Sequence, residues 1–307
     1  MTTKLAVVTT FPPNRWTAYA KRMLESHVKF WPNDVILHAY HEGSKPDFDH
    51  PKIKFINIED ANPELVKFKA KYKDDPVANG KIREVPGGVR RDPTAGKNDR
   101  GKGSYLWDAV RFSHKTFAVD HAIKNIDADY ILWLDADTYT FRNITTDFVT
   151  GLLPEDKLVN FLGRGDKYPE CGWVCYNKKH PKITQFMKYW TDLYVKDTIF
   201  KEMEWHDSYL FWQCVQRIAP KDGVDIGKGA GARGHHVFIN SVLGAYVDHM
   251  KGKRKVQGKS SKSDLRGDRN EDYWKNVENY DPFGGVKFDP KQVEDIVSKT
   301  DKGWQGN

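Results

Sequence analysis

The sequence predicts an α/β fold, and three observations predict it. Short β-branched runs alternate with helix-length amphipathic segments from the N-terminus onward, as in a chain that lays down parallel strands with helices between them. One run, "YILWL" at residues 130–134, is apolar throughout, the pattern of a strand covered on both faces. Finally, 307 residues at 39% hydrophobic and 13% aromatic can build a real core, as one large domain with a tail or as two modest ones.

The elements follow in order. "KLAVVTTF" reads as a first strand ended by Pro12 and Pro13, and "WTAYAKRMLESHVKFW" as a helix stopped at Pro32. "DVILHAY" and "IKFINI" are two more strands, and "NPELVKFKAKY" is a helix opened by an Asn cap with Pro behind it. Residues 79–103, rich in Gly, Arg and Lys and without periodicity, read as a long surface loop. "SYLWDAVRFSHKTFAVDHAIKN" is the strongest helix, with Leu106, Val110, Phe117 and Ile123 on one face and Ser104 and Asp108 as a loose capping box. It leads into "DADYILWLDADTYT". Strands at "KLVNFLG" and "GWVCYN", a helix from Pro181 to about Thr198, a helix at "DSYLFWQCVQRI" and a strand-like "HHVFINS" complete a first domain over residues 1–257. Residues 258–307 turn polar and read as a C-terminal extension.

Asp-x-Asp occurs three times, and position separates the copies. Ligands of open α/β sheets gather at the carboxyl ends of strands. Only Asp135 and Asp137 stand there; Asp127 and Asp129 precede the strand, and Asp47 and Asp49 lie in a Pro-bracketed loop. Two adjacent carboxylates at a buried strand end call for a positive partner. Mg²⁺ or Mn²⁺ suits such hard oxygen ligands and leaves positions for substrate phosphates; the alternative is a pair of exposed aspartates in a turn.

Lys and Arg outnumber Asp and Glu 49 to 42, and the excess is clustered in residues 79–103 and 249–269. Two basic, Gly-rich loops suit a protein that grips phosphates, or they are simply solvated. No signal-peptide stretch opens the sequence and no run nears the roughly 18 apolar residues of a membrane span, so a cytoplasmic protein is expected. Cys171, Cys175 and Cys214 lack zinc-site spacing and read as buried thiols.

A strand followed by Asp-x-Asp, after an N-terminal α/β half, resembles the nucleotide-sugar-binding half of GT-A glycosyltransferases. "HMKGKRK" strengthens the resemblance: His249, Gly252 and Lys255 fit the H-x-x-G-x-x-K pattern of the glycogenin and galactosyltransferase-like branch. The resemblance implies a Rossmann-like GT-A fold with a mixed central sheet. It implies His249 as third metal ligand beside Asp135 and Asp137, and Gly252 and Lys255 at the diphosphate of a donor, uridine diphosphate by family habit. It places Thr9, Thr10 and Phe11 at the nucleoside, and Arg111 and Lys115 on a donor-contacting helix, where a solvated face is the other reading of Arg111. Val256 and Gln257 follow Lys255 where the branch often has Pro-Trp.

On the acceptor side, Asp207 is the candidate base if the reaction inverts, an orienting group if it retains, or a plain helix cap. Glu170, Trp173 and Asn177 are candidates for the sugar pocket, with a core strand as the other reading of Trp173. The acceptor expected is a glycan or, given the basic loops, a hydroxymethylated base in DNA. A non-catalytic nucleotide-sugar-binding protein and a nucleotidyltransferase are the competing classes.

Overall fold

A computed structural model describes residues 3–80, 84–85, 88–89, 105–165, 167–231 and 236–275. Most of the basic loop expected at 79–103, together with Ser104 and the tail from 276, lies outside these residues.

Seven strands form the central sheet: β1 (Leu5–Phe11), β2 (Ile36–His41), β3 (Ile53–Asn57), β4 (Tyr130–Leu134), β6 (Val159–Arg164), β7 (Lys167–Asn177) and β8 (Gly223–Asp225). Their order is β8-β6-β7-β4-β1-β2-β3. From β4 to β3 all neighbours are parallel, while β7 runs antiparallel to both β4 and β6. The sheet is therefore mixed, and the fold is α/β. Between β4 and β6 lies β5 (Thr138–Thr140), which leaves the sheet and pairs with β9 (Val247–His249) in a small antiparallel ladder.

The apolar run of β4 is explained by cover on both faces. Ile131 and Trp133 join the core formed with α3 (Ala109–Asn125), α4 (Ile183–Val195) and α5 (Asp207–Ile218). Tyr130, Leu132 and Leu134 join the other core, with Met23 and Leu24 of α1 (Lys21–Phe30). Ahead of α1, Trp16–Ala20 is a π-helical turn that continues into it, and Trp31, extended before Pro32, ends it. All three cysteines are free and buried.

Several local expectations need correction. Asn62 precedes α2 (Pro63–Lys71), but its side chain makes no cap bond and donates to the Ile58 carbonyl; the working Asn cap is Asn57, which accepts from the amides of Glu59 and Asp60. Asp108 caps α3, accepting from the Arg111 amide, while the Ser104 half of the expected capping box lies outside the described residues. "HHVFINS" is not a strand: Val237–Asn240 form a helical turn, because Asn240 donates to the His236 carbonyl and Ser241 to that of Phe238, local bonds that outcompete a ladder.

Residues 259–275 pack against the preceding chain. Trp274 is 3% exposed and donates to the Gly244 carbonyl, and the Tyr273 ring stacks on Phe141 at 4.0 Å. The Tyr273 hydroxyl and both the amide and hydroxyl of Ser260 donate to the buried Asp248 carboxylate.

Candidate metal and phosphate site

The β5–β9 ladder assembles the site. Thr138 pairs with His249, so the residue after Asp137 is locked opposite the histidine, and the Met250 amide donates to the Asp137 carbonyl at 2.9 Å. Asp135 sits just past β4, its amide held by the Gly172 carbonyl. The result brings Asp135, Asp137 and His249 together with one ligand atom from each within 4.8 Å of the others. His249 Nε2 lies 3.1 Å from Asp137 Oδ1 and 3.6 Å from Asp135 Oδ2.

Two oxygens and one imidazole nitrogen are a donor set that could hold a divalent cation. A carboxylate also backs the imidazole: Glu170 Oε2 is 3.4 Å from His249 Nδ1, and each of these two buried atoms lacks a hydrogen-bond partner. Such a carboxylate behind a ligating histidine fixes the ring and its tautomer. Gly172 makes room for the ring, since a Cβ there would fall 2.5 Å from His249 Cε1.

Cations enclose the carboxylates. Lys255 Nζ is 2.9 Å from Asp137 Oδ2, and Lys251 Nζ is 3.1 Å from Glu170 Oε1. Buried Lys115 donates to Asp207 Oδ2 at 2.7 Å and to the Cys171 carbonyl at 2.6 Å, with Asp135 Oδ1 3.6 Å away. Trp133 Nε1 donates to Asp135 Oδ1 at 2.6 Å.

The protonation pattern follows from these contacts. Burial works to raise Asp137, but Lys255 and then His249 hold it far below the usual carboxylate range. Burial does raise Asp135, despite Lys115 and His249. For His249 burial acts downward, yet Glu170 and Asp137 lift it to about 9. Asp207 ends lowered because Lys115, then His206, outweigh its burial.

Other sequence candidates fall at different places. Thr10 donates to the Tyr40 carbonyl at the end of β1, Thr9 is fully buried, and Phe11 is 1% exposed with its ring against half-buried Trp16. Arg111 is exposed one turn before Lys115. Asp207 is the first residue of α5 and not its cap, which is His206. Gly252 has φ 59, a left-handed conformation that glycine accepts without strain, and Arg254–Gln257 form a helical turn closed by Gly258 at φ 69.

The grouping of Glu170, Trp173 and Asn177 around a sugar does not hold. Trp173 is fully buried beside Leu134, and Asn177 pairs with Tyr130 at the opposite end of the strands, where it donates to the carbonyls of Glu155 and Lys157. Asp127 and Asp129 serve the surface, bonded to Lys4 and, for Asp129, Lys179.

No protein-family profile matches the chain, and no curated protein matches it. Solved structures similar to it include mouse xyloside xylosyltransferase 1, at 13% identity and TM-score 0.41, covering 73% of this chain and 84% of that one. Another is the glycosyltransferase GlyE of Streptococcus pneumoniae, at 12% identity and TM-score 0.40, covering 75% of this chain and 49% of that one. A third is a glycosyltransferase involved in glycosylation of the major capsid of PBCV-1, at 14% identity and TM-score 0.40, covering 82% and 97%. Among the described residues, no helix is long and apolar enough to cross a membrane.

Proposed function

We propose that this chain is a metal-dependent glycosyltransferase that moves a sugar from a nucleotide-diphosphate sugar, by the resemblance a uridine diphosphate donor, to an acceptor hydroxyl. The observation that supports this reading most is the meeting of two distant motifs: His249 completes the Asp135–Asp137 pair while Lys255, from the same short motif, reaches Asp137 at 2.9 Å. Mn²⁺ or Mg²⁺ bound there would neutralise charge growing on the departing diphosphate.

The chain's own residues have distinct parts in this reading. Gly252 lets the backbone approach a phosphate, and Lys255 supplies charge to it. Arg111, exposed one turn before Lys115, is the candidate for a second cationic arm. Partly buried Thr10 and the half-buried Trp16 ring would meet the nucleoside, with the buried Thr9 and Phe11 supporting them from beneath. Asp207 is bound by Lys115 and held in its ionised form, which makes it a weak base. An orienting role for Asp207 in a retaining reaction therefore fits better than proton abstraction in an inverting one.

The acceptor is a glycan or a hydroxymethylated base in DNA. Retention on heparin and duplex DNA that falls steeply with salt, and disappears when the 79–103 loop is neutralised, selects DNA; salt-indifferent, weak retention selects a glycan. The function itself is tested by donor hydrolysis across a panel of nucleotide sugars, with and without Mn²⁺, alongside Asp137→Ala. Metal-dependent turnover lost in the variant is the expected result. Equal turnover by the variant and by metal-free protein would refute the site. Mn²⁺-dependent nucleotide binding without turnover of any donor would identify a non-catalytic binding protein instead, and nucleotide transfer from a triphosphate would identify a nucleotidyltransferase.

A further inference from the structure

Glu204 and His206 form a buried acid–imidazole pair that the proposed metal site does not use. The chain is extended where it enters α5, with His206 at φ −83 and ψ 160, so side chains two apart share a side. Between them Trp205 anchors the stretch: it is fully buried, and its amide donates to the Leu106 carbonyl at 2.7 Å. His206 Nε2 meets Glu204 Oε2 at 2.7 Å, and the two residues are 5% and 8% exposed. A buried ionisable pair adds little stability over apolar residues of similar size, so packing alone does not account for it. Its neighbours put it beside the metal site. His206 directly precedes Asp207, whose carboxylate accepts from Lys115, itself 3.6 Å from Asp135. Two half-buried rings approach the imidazole, Phe112 of α3 at 6.2 Å and Tyr168 of β7 at 6.0 Å between ring centres. Such rings offer a surface to the apolar face of a sugar.

We propose that His206, oriented by Glu204, is the base that takes the proton of the acceptor hydroxyl. The hydrogen bond to Glu204 keeps a proton on Nε2, which makes Nδ1 the accepting nitrogen, and the side chain makes no cap bond to α5. An attacking hydroxyl must shed its proton whichever face of the donor sugar it meets. As its oxygen bonds to the anomeric carbon, the bond from that carbon to the diphosphate breaks and its electron pair leaves with the diphosphate. The hydroxyl proton passes to Nδ1, and Glu204 stabilises the imidazolium that forms. Asp207, occupied by Lys115, keeps its orienting part. The inference rests on the glycosyl-transfer reading above and assigns the proton that Asp207 is too weak a base to take.

The test uses the full chain and a nucleotide sugar that the wild type hydrolyses with Mn²⁺, water standing in for the acceptor. His206→Ala should lose about 100-fold or more in kcat, while uridine diphosphate with Mn²⁺ binds as it does to wild type. Added imidazole should restore part of the rate. Glu204→Gln should also lower kcat, by less, with that binding unchanged. His206→Gln keeps a hydrogen-bonding amide without a basic nitrogen and should match the Ala variant, which covers the case in which His206→Ala fails to fold; near-ultraviolet circular dichroism checks folding throughout. Wild-type kcat in the His206 variants overturns the inference and leaves the transferase reading standing. A loss in folded His206→Ala with neither rescue by imidazole nor a changed pH–rate profile does the same. Failure of wild type to turn over any donor overturns the functional reading, and the inference with it.

Discussion

Replacing Gly172 by Ala should damage the proposed metal site from behind, without replacing a proposed ligand. The glycine lies in β7 with its amide donating to Glu170 Oε1 at 2.7 Å. An added Cβ would stand 2.5 Å from His249 Cε1, 2.7 Å from Nδ1 and 2.9 Å from Glu170 Oε1. Carbon atoms pack at about 3.5 to 4.0 Å, so the ring must retreat by roughly 1 Å. His249 is 1% exposed and faces Phe238 at 5.1 Å between ring centres, so the retreat also shifts Nε2 relative to Asp137. Metal–ligand distances tolerate only about 0.2 Å. Displacing a ligand's support costs about 10- to 100-fold in metal affinity, equivalent to about 1.4 to 2.8 kcal/mol. Overpacking adds about 1 to 3 kcal/mol of destabilisation. The assay is Mn²⁺ titration in the presence of uridine diphosphate, paired with thermal unfolding. Gly151→Ala is the control, because nothing lies within 4 Å of the Cβ it would add. Wild-type Mn²⁺ affinity in Gly172→Ala, with affinity lost in His249→Ala, would refute the claim that this close approach sets the imidazole.

Two further outcomes are expected. Tyr273→Phe removes one of three donors from fully buried Asp248 and should lower stability by about 1.5 to 3 kcal/mol in a denaturant titration; an unchanged midpoint would mean that the docked segment is not held by this carboxylate. His27 gives a pH dependence. Burial lowers it to about 3, and its ring donates to the Val35 carbonyl while stacked on Trp31. The unfolded chain protonates His27 near the ordinary imidazole value of 6.5, so between pH 6.5 and 3 the unfolded state binds more protons and stability falls on acidification. His27→Phe should flatten that slope by up to about 1.4 kcal/mol per pH unit, and superimposable stability–pH slopes would count against a neutral buried His27.

Much of this architecture is legible in the sequence because it is local. The all-apolar run at 130–134 announces a doubly covered strand, and its place before Asp135 announces an edge where ligands gather. What escapes is strand direction. Side-chain alternation tells which face a residue takes but not which end of the sheet it reaches, so Glu170 and Asn177 look like neighbours of one pocket. Antiparallel pairing with β4 instead puts Trp173 beside Leu134 and Asn177 beside Tyr130, at opposite ends of the strand pair. Nor do three-residue strands carry a pattern, so the pairing of Thr138 with His249 cannot be read from either segment.

Glu170 shows what a sharper reading would have used. It is an acid placed two residues before a glycine in a run of otherwise buried strand, "ECGWVCYN", and it is 3% exposed. A carboxylate there is costly unless a cation or a polarised donor meets it. The glycine tells where that donor enters, because a missing side chain in a central strand marks a close approach from outside the sheet. Those two residues predict a positive or polar group over Gly172, and His249 and Lys251 are the groups that arrive. The same reasoning explains why four carboxylates, Asp135, Asp137, Glu170 and Asp207, can crowd one end of the sheet. Three lysines balance the four, Lys115 shared by Asp135 and Asp207, Lys255 at Asp137 and Lys251 at Glu170, while His249 stands between Asp137 and Glu170.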